Sequence, residues 1–308
     1  MSALEPFQLP LYLVAALLGA GLGLWVPGLV PWGEVLLWPA LMVLLLATFL
    51  QVPLLALRQA FRDRAFLLAA LLGNFLLVPL LVYALLQLLP PEPGLQLGVA
   101  LVLLVPCTDW FLAFAHLGRG DMARALVLTP LNLFLQLLLL PLYLFLLPGG
   151  SPGGVPLASL LEAAWVVFFP LLLALFLQVR SLGRHLAAKT ASWPVPLLAL
   201  VVFLVALGNA GHLAGFPALF LVLGGVFALY LLLALGLAWV LARLFRLEAK
   251  AGRTLAFSLG TRNSFLVLPL ALALPEGMAL APLVIVFQAL VELLGMGAAF
   301  RLVPRLFP

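Results

Sequence analysis

The sequence is poor in charge and almost devoid of cysteine. Only 8% of its 308 residues are Asp, Glu, Lys or Arg, against roughly 25% in an ordinary soluble domain. So few charges cannot solvate the surface of a soluble globule of this size, which excludes a soluble enzyme, a nucleic-acid-binding domain and a disordered chain. A single Cys forms no intrachain disulfide, and with three scattered His it makes no zinc motif. There is no P-loop of the form Gly-x-x-x-x-Gly-Lys-Ser/Thr, so no ATP hydrolysis is expected of the chain. Gly118-x-Gly120-x-x-Ala123 imitates a dinucleotide fingerprint, but it follows no strand pattern and has no acid at the required distance. No apolar run carries the regular Arg series of a voltage sensor, and nothing resembles a selectivity filter or a ring of charge. The opening Met-Ser-Ala-Leu-Glu lacks the basic region of a signal peptide, so the first apolar stretch is expected to be retained. No cofactor is called for.

What the chain has is apolar length. Hydrophobic residues make up 66% of it, interrupted by 25 Pro and 26 Gly, and the mean hydropathy is +1.30. About 20 mostly apolar residues cross a bilayer as a helix. Between the polar and Pro/Gly breaks lie ten such stretches, near 8–27, 33–53, 65–89, 95–117, 122–147, 157–179, 193–213, 217–245, 251–274 and 280–302. The expected fold is an all-α integral membrane protein of ten transmembrane helices.

The charges orient those helices. Fourteen of the fifteen basic residues fall in alternate loops: Arg58, Arg62 and Arg64; Arg119 and Arg124; Arg180, Arg184 and Lys189; Arg243, Arg246, Lys250 and Arg253; and Arg301 with Arg305 after the last span. The opposite loops, PGLVPWGE, PPEPG, PGGSPGGVP, AGFP and PEG, contain none. By the positive-inside rule both termini are cytoplasmic. A pI near 10.0 then reflects loop topology rather than nucleic-acid binding.

The Gly/Pro run 148–156 divides the chain into two five-span halves, 1–147 and 157–308. An odd number of spans per half inverts the second relative to the first, the arrangement of many secondary transporters. The fourth span of each half is broken by polar residues, Cys107-Thr108-Asp109 in one and Gly260-Thr261-Arg262-Asn263-Ser264 in the other. Interrupted spans at matching positions point to a transport site.

Three charged residues fall deep within spans: Asp109, Arg262 and Glu292. Each costs about 2.5–3.5 kcal/mol to insert and requires a partner or a wet cavity. Asp109 and Arg262 sit at equivalent breaks and could pair, either only to hold a helix crossing together or to keep a tethered cation where other transporters bind sodium. Glu292 shares a helix face with Gln288, four residues earlier, and is either a proton carrier or a hydrogen-bonded packing residue. Thr129, Asn132 and Gln136 share one face of span 5. These amides, with Asn74 and Asn209, either bridge helices or line a site. Cys107 is either a small buried hydrophobe or a soft ligand. Gly19-x-x-x-Gly23 could pack within the subunit or between subunits, leaving a homodimer open.

The segments VPCTDWFLAFAHLGRGD (105–121), LVLTPLNLFLQLLLLP (126–141), FSLGTRNSFLVLPLALALP (257–275) and VIVFQALVELLGM (284–296) resemble the bile acid:sodium symporter superfamily, and most closely its arsenite efflux permease branch. The resemblance implies spans 4 and 9 crossing as discontinuous helices, with a panel domain (spans 1, 2, 6, 7) set against a core domain (spans 3–5, 8–10). It implies that Cys107 and Glu292 are the functional pair and that Asn132 and Asn263 match polar site positions. Thr108 and Ser264 join them as candidate substrate contacts, and Gln288, Asp109 and Arg262 join Glu292 as candidate coupling residues. In the sodium-coupled branch a Glu-containing break in span 9 ligates sodium. Arg262 stands in that motif here, which argues against sodium. The Cys-Thr-Asp-Trp break and Arg262 also depart from the arsenite permease pattern.

Three functions follow as alternatives. The first is proton-coupled arsenite or antimonite export by antiport, as in arsenical resistance. The second is transport of a small organic anion, sodium- or proton-coupled. The third is a non-transporting membrane sensor or structural protein. The expected setting is a bacterial-type cell membrane.

Overall fold

The computed structural model describes residues 8–54, 63–108, 110–146, 157–211 and 217–308. Among these residues every regular element is helical. The helices are α1 (Gln8–Trp25), α2 (Val30–Gln51), α3 (Arg64–Leu72), α4 (Val78–Leu86), α5 (Pro93–Leu104), α6 (Trp110–Leu117), α7 (Met122–Leu146), α8 (Leu157–Val179), α9 (Ser181–Thr190), α10 (Pro194–Gly208), α11 (Pro217–Leu244), α12 (Ala249–Gly260), α13 (Ser264–Leu272) and α14 (Leu280–Leu306). Six stretches are long and apolar enough to cross a membrane: Gln8–Trp25, Pro27–Gln51, Arg64–Leu86, Met122–Tyr143, Leu219–Leu244 and Leu280–Leu306. Pro93–Leu104, Ala163–Val179 and Pro194–Gly208 are shorter apolar helices. Large apolar side chains such as Leu17, Trp25, Leu221 and Leu232 face outward. That is the economical arrangement when the surrounding solvent is lipid.

Proline punctuation explains several local features. Pro93 opens α5 where a missing N–H costs nothing, and the Glu92 carboxylate caps that turn by accepting the N–H groups of Gly94 and Leu95. Pro79 lies within the continuous run α3–α4. Lacking an N–H, it cannot serve the carbonyl four residues earlier, Phe75. That carbonyl instead accepts the Tyr143 hydroxyl of α7 at 2.6 Å. The turn before it, Gly73–Leu77, is π-helical, as expected where an α-helix must absorb an irregular residue.

Helix α1 lies directly on α10. A Cβ at Gly19 would collide with the Phe203 carbonyl oxygen, and one at Gly23 with that of Leu207. The small-residue stripe therefore serves packing within the subunit, which resolves the alternative left open by the sequence. The segment after α8, expected to be a basic loop, contains the ten-residue helix α9. It is docked by Gln51, whose Nε2 donates to the Ala187 carbonyl at 3.1 Å and to the Thr190 hydroxyl at 3.3 Å.

At one end of the molecule Arg124 gathers three carboxylates: Asp63 at 2.7 Å, Asp121 at 2.6 Å and Glu248 at 3.8 Å. Thr254 Oγ1 accepts the Asp121 N–H at 2.7 Å. These contacts tie the start of α3, the turn after α6 and the start of α12 together.

Candidate functional site

Two of the apolar helices are broken, and the breaks meet. Helix α5 ends at Leu104 and α6 begins at Trp110, while α12 ends at Gly260 and α13 begins at Ser264. Pro106 and Arg262 form an antiparallel bridge. The Cys107 N–H donates to the Thr261 carbonyl at 3.2 Å, and the Asn263 N–H to that of Val105 at 2.8 Å. A break in a helix deep in an apolar medium exposes backbone groups that must find partners. Here each break supplies partners to the other. Side chains extend the seam: Asn263 Nδ2 donates to Thr108 Oγ1 at 3.0 Å, while Asn263 Oδ1 accepts the Leu266 N–H and caps α13.

Arg262 is buried, with 2% of its surface exposed. Its guanidinium is surrounded by neutral oxygens. Nη2 donates to Asn74 Oδ1 at 3.0 Å, to the Ser258 carbonyl at 3.1 Å and to the Leu259 carbonyl at 2.6 Å; Nη1 donates to the Leu103 carbonyl at 3.4 Å. The Tyr230 ring lies beneath it, 5.5 Å from Cζ. Asn74 is itself held by Ser258 Oγ, which accepts from its Nδ2 at 2.9 Å. Two of the four oxygens exist as free acceptors because α12 ends at Gly260, leaving its last carbonyls without helical donors. A cation surrounded by backbone and amide oxygens is the coordination chemistry of a hard metal ion, supplied here by a side chain.

Glu292, on α14, is joined to the same break through the backbone. Its Oε2 accepts the Arg262 N–H at 2.9 Å and Gln288 Nε2 at 2.8 Å. Gln288 Oε1 in turn accepts the Ser264 hydroxyl at 2.6 Å. One chain of hydrogen bonds therefore runs from the first residue of α13 to the carboxylate. A cavity of about 10 Å³ borders Gln288 and Glu292, between Tyr230, Gly260 and Val291. It is about the size of a single water molecule.

The structure thus brings together Thr108, Arg262, Asn263, Ser264, Gln288 and Glu292, with Cys107 joined through its backbone and buried at 2% exposure. Asp109 lies outside the described residues. Asn132 is buried on α7 but hydrogen-bonded to none of the others; Asn132 and Gln136, one turn apart, keep all four amide atoms without hydrogen-bond partners. Three residues that sequence reasoning left undecided or did not mark belong to the site: Asn74, Ser258 and Tyr230. The Asn in span 3 was a visible signal. Ser258 and Tyr230 carried none, because a Ser hydroxyl within an apolar helix most often bonds its own preceding turn and a Tyr in an apolar run reads as a packing ring.

An all-helical chain with at least six apolar helices of membrane length among its described residues is a multi-pass membrane protein. The particular family follows from comparison. Residues 38–216 match the Sodium Bile acid symporter family, and the chain belongs to it. Membership makes the protein a secondary transporter, sodium-coupled or related, in a family of transporters rather than enzymes. A comparison with curated proteins finds no match.

Proposed function

We propose that this transporter exports trivalent arsenite or antimonite by exchange with protons. The observation that carries the reading is the Arg262 guanidinium seated among the oxygens of Leu103, Asn74, Ser258 and Leu259. A permanent cation there repels a mobile one, which leaves the proton as the coupling ion and Glu292 as its carrier. Cys107 supplies the soft sulfur that As(III) prefers. Cargo loading is a ligand exchange. The Cys107 thiol and As(OH)₃ give a Cys107 S–As(OH)₂ adduct and water, with the thiol proton leaving on the displaced hydroxyl. Water reverses the step on release. One sulfur gives one labile bond, as a carrier requires.

The reading includes ten spans in two inverted five-span repeats, 1–147 and 157–308, divided into panel and core. Support comes from the two broken helices meeting at their breaks. The distribution of Lys and Arg supports cytoplasmic termini, and the setting proposed is a bacterial-type cell membrane.

A second reading, transport of a small organic anion, draws on the family itself and on the N-termini of α6 and α13, which both begin at the breaks. Such ends carry partial positive charge suited to a carboxylate. One experiment separates the two. In proteoliposomes with a pH gradient, wild-type protein should move arsenite uphill and Cys107→Ser should not. Retained arsenite flux in Cys107→Ser, or flux of carboxylates alone, favours the organic anion.

A further inference from the structure

Helix α9 connects the end of α8 to the start of α10, where those two apolar helices stop. Its residues divide into two faces. Gly183, Leu186, Ala187 and Thr190 recur at helical spacing and turn inward, while His185, Ala188 and Lys189 are exposed. The inward face is fixed. A Cβ at Gly183 would collide with the Leu177 carbonyl oxygen of α8, and Gln51 of α2 bonds the Ala187 carbonyl and the Thr190 hydroxyl. In the last turn of α8, Gln178 Nε2 donates to the carbonyls of Phe49 and Val52 at 3.0 and 2.8 Å. Helix α9 is therefore a shelf fastened to the ends of α2 and α8.

The outward face is basic, and its surroundings supply no counter-charge. Arg180, Arg184 and Lys189 fall on this segment, and the sequence has no Asp or Glu between Glu162 and Glu248. Helices α2 and α8 pack against α9, and their acids, Glu34 and Glu162, lie near the opposite ends of those helices. Asp63, Asp121 and Glu248 are held by Arg124. Exposed apolar side chains flank the cations. The Arg180 guanidinium lies over the Phe176 ring, 4.4 Å from Cζ to the centroid, and Phe176, Val179 and Trp193 all face outward. Cations laid along exposed rings, with a Trp at the same level, mark the boundary between acyl chains and headgroups.

We propose that α9 is a headgroup-binding helix, on which Arg180 and Lys189 hold the phosphate of an anionic phospholipid of the surrounding bilayer. A guanidinium and an ammonium with no carboxylate beside them bind phosphate oxygens by charge-assisted hydrogen bonds. The inference rests on the chain being a membrane protein and is independent of cargo and coupling ion.

The test is equilibrium binding of fluorescent phosphatidylglycerol to the purified full chain in an uncharged detergent. Wild-type protein should bind it saturably and phosphatidylcholine at least about tenfold more weakly, with the difference shrinking in high salt. Arg180→Gln and Lys189→Gln should each weaken phosphatidylglycerol binding about fivefold, and the double variant about 25-fold. Arg305→Gln, an exposed cation at the end of α14, should bind as wild type does. Both α9 positions are exposed, so the variants should melt with the wild-type protein in lipid-free detergent; if the double variant does not fold, the two single variants carry the test. Wild-type affinity in both single variants would overturn the proposal. So would an equal loss in Arg305→Gln, which reports a diffuse basic surface, and so would displacement of the lipid by equimolar inorganic phosphate, which reports a site for the free anion.

Discussion

Arg262 Nη2 donates a 3.0 Å hydrogen bond to Asn74 Oδ1, across 188 residues of chain. The contact joins the broken helix α12–α13 to the π-helical turn between α3 and α4. Asn74 orients its oxygen toward the cation because its own Nδ2 is bonded to Ser258 Oγ and to the Ala70 carbonyl. Removing either partner therefore leaves buried polar groups unmatched.

Sodium independence is the first expected outcome. Uphill flux in proteoliposomes should not change when sodium is replaced by choline. Arg262→Gln should lower thermal stability, since a hydrogen bond to a charged group contributes about 1.5–3 kcal/mol and several are lost. A saturable sodium requirement in the wild-type protein would show that the guanidinium does not exclude a mobile cation.

Glu292→Gln should separate coupling from binding. The amide keeps an oxygen to accept from Arg262 N and Gln288 Nε2, but it cannot take up a proton. The variant should fold and exchange substrate across the membrane. Uphill transport driven by a pH gradient should fall at least about tenfold, an effect of about 1.4 kcal/mol. Uphill transport at the wild-type rate would make this carboxylate structural and move attention to Asp109.

The α7 amides give an opposite signature. Asn132 and Gln136 are 0% and 1% exposed, and their amide atoms lack hydrogen-bond partners. Each unsatisfied buried group costs about 1–3 kcal/mol. Asn132→Leu with Gln136→Leu should raise the melting temperature while transport falls. A more stable variant with undiminished transport would leave the pair without a role in the cargo route.

Acid should weaken the tie at Asp63. Burial pushes this carboxyl up, but the Phe66 N–H and the Arg124 guanidinium together outweigh burial and hold it below its ordinary value. A carboxyl lowered on folding stabilises the fold above its unfolded pKa, about 3.9, and that contribution is lost as pH falls through the lowered folded value. Melting curves should show wild type and Asp63→Asn converging in strong acid and separating toward neutrality, with wild type the more stable. Parallel curves across the whole range would mean that this carboxylate adds nothing through its ionisation.

Much of the architecture was legible before any coordinates. Apolar runs of about 20 residues impose helices, because an apolar medium offers the backbone no other partner. The same constraint made the breaks at Cys107–Asp109 and Thr261–Asn263 conspicuous. Gln288 and Glu292 could be placed on one face by helical spacing alone, and the structure joins them at 2.8 Å. Such inferences succeed because they depend only on local geometry and on the solvent.

The tertiary structure decided which distant groups meet. The sequence could offer Asp109 as a partner for Arg262, since opposite charges at equivalent breaks suggest a pair. It could not show Asn74, Ser258 and Leu259 closing around the guanidinium, because the Ser258 and Leu259 acceptors are backbone carbonyls, identical in every residue, that become available only where α12 stops. Nor could it choose between packing within and between subunits for Gly19 and Gly23, since a small-residue stripe fits any close neighbour and only the fold brings α10 to it. Helical periodicity and hydropathy are properties of a segment. A contact across 188 residues belongs to the packed whole.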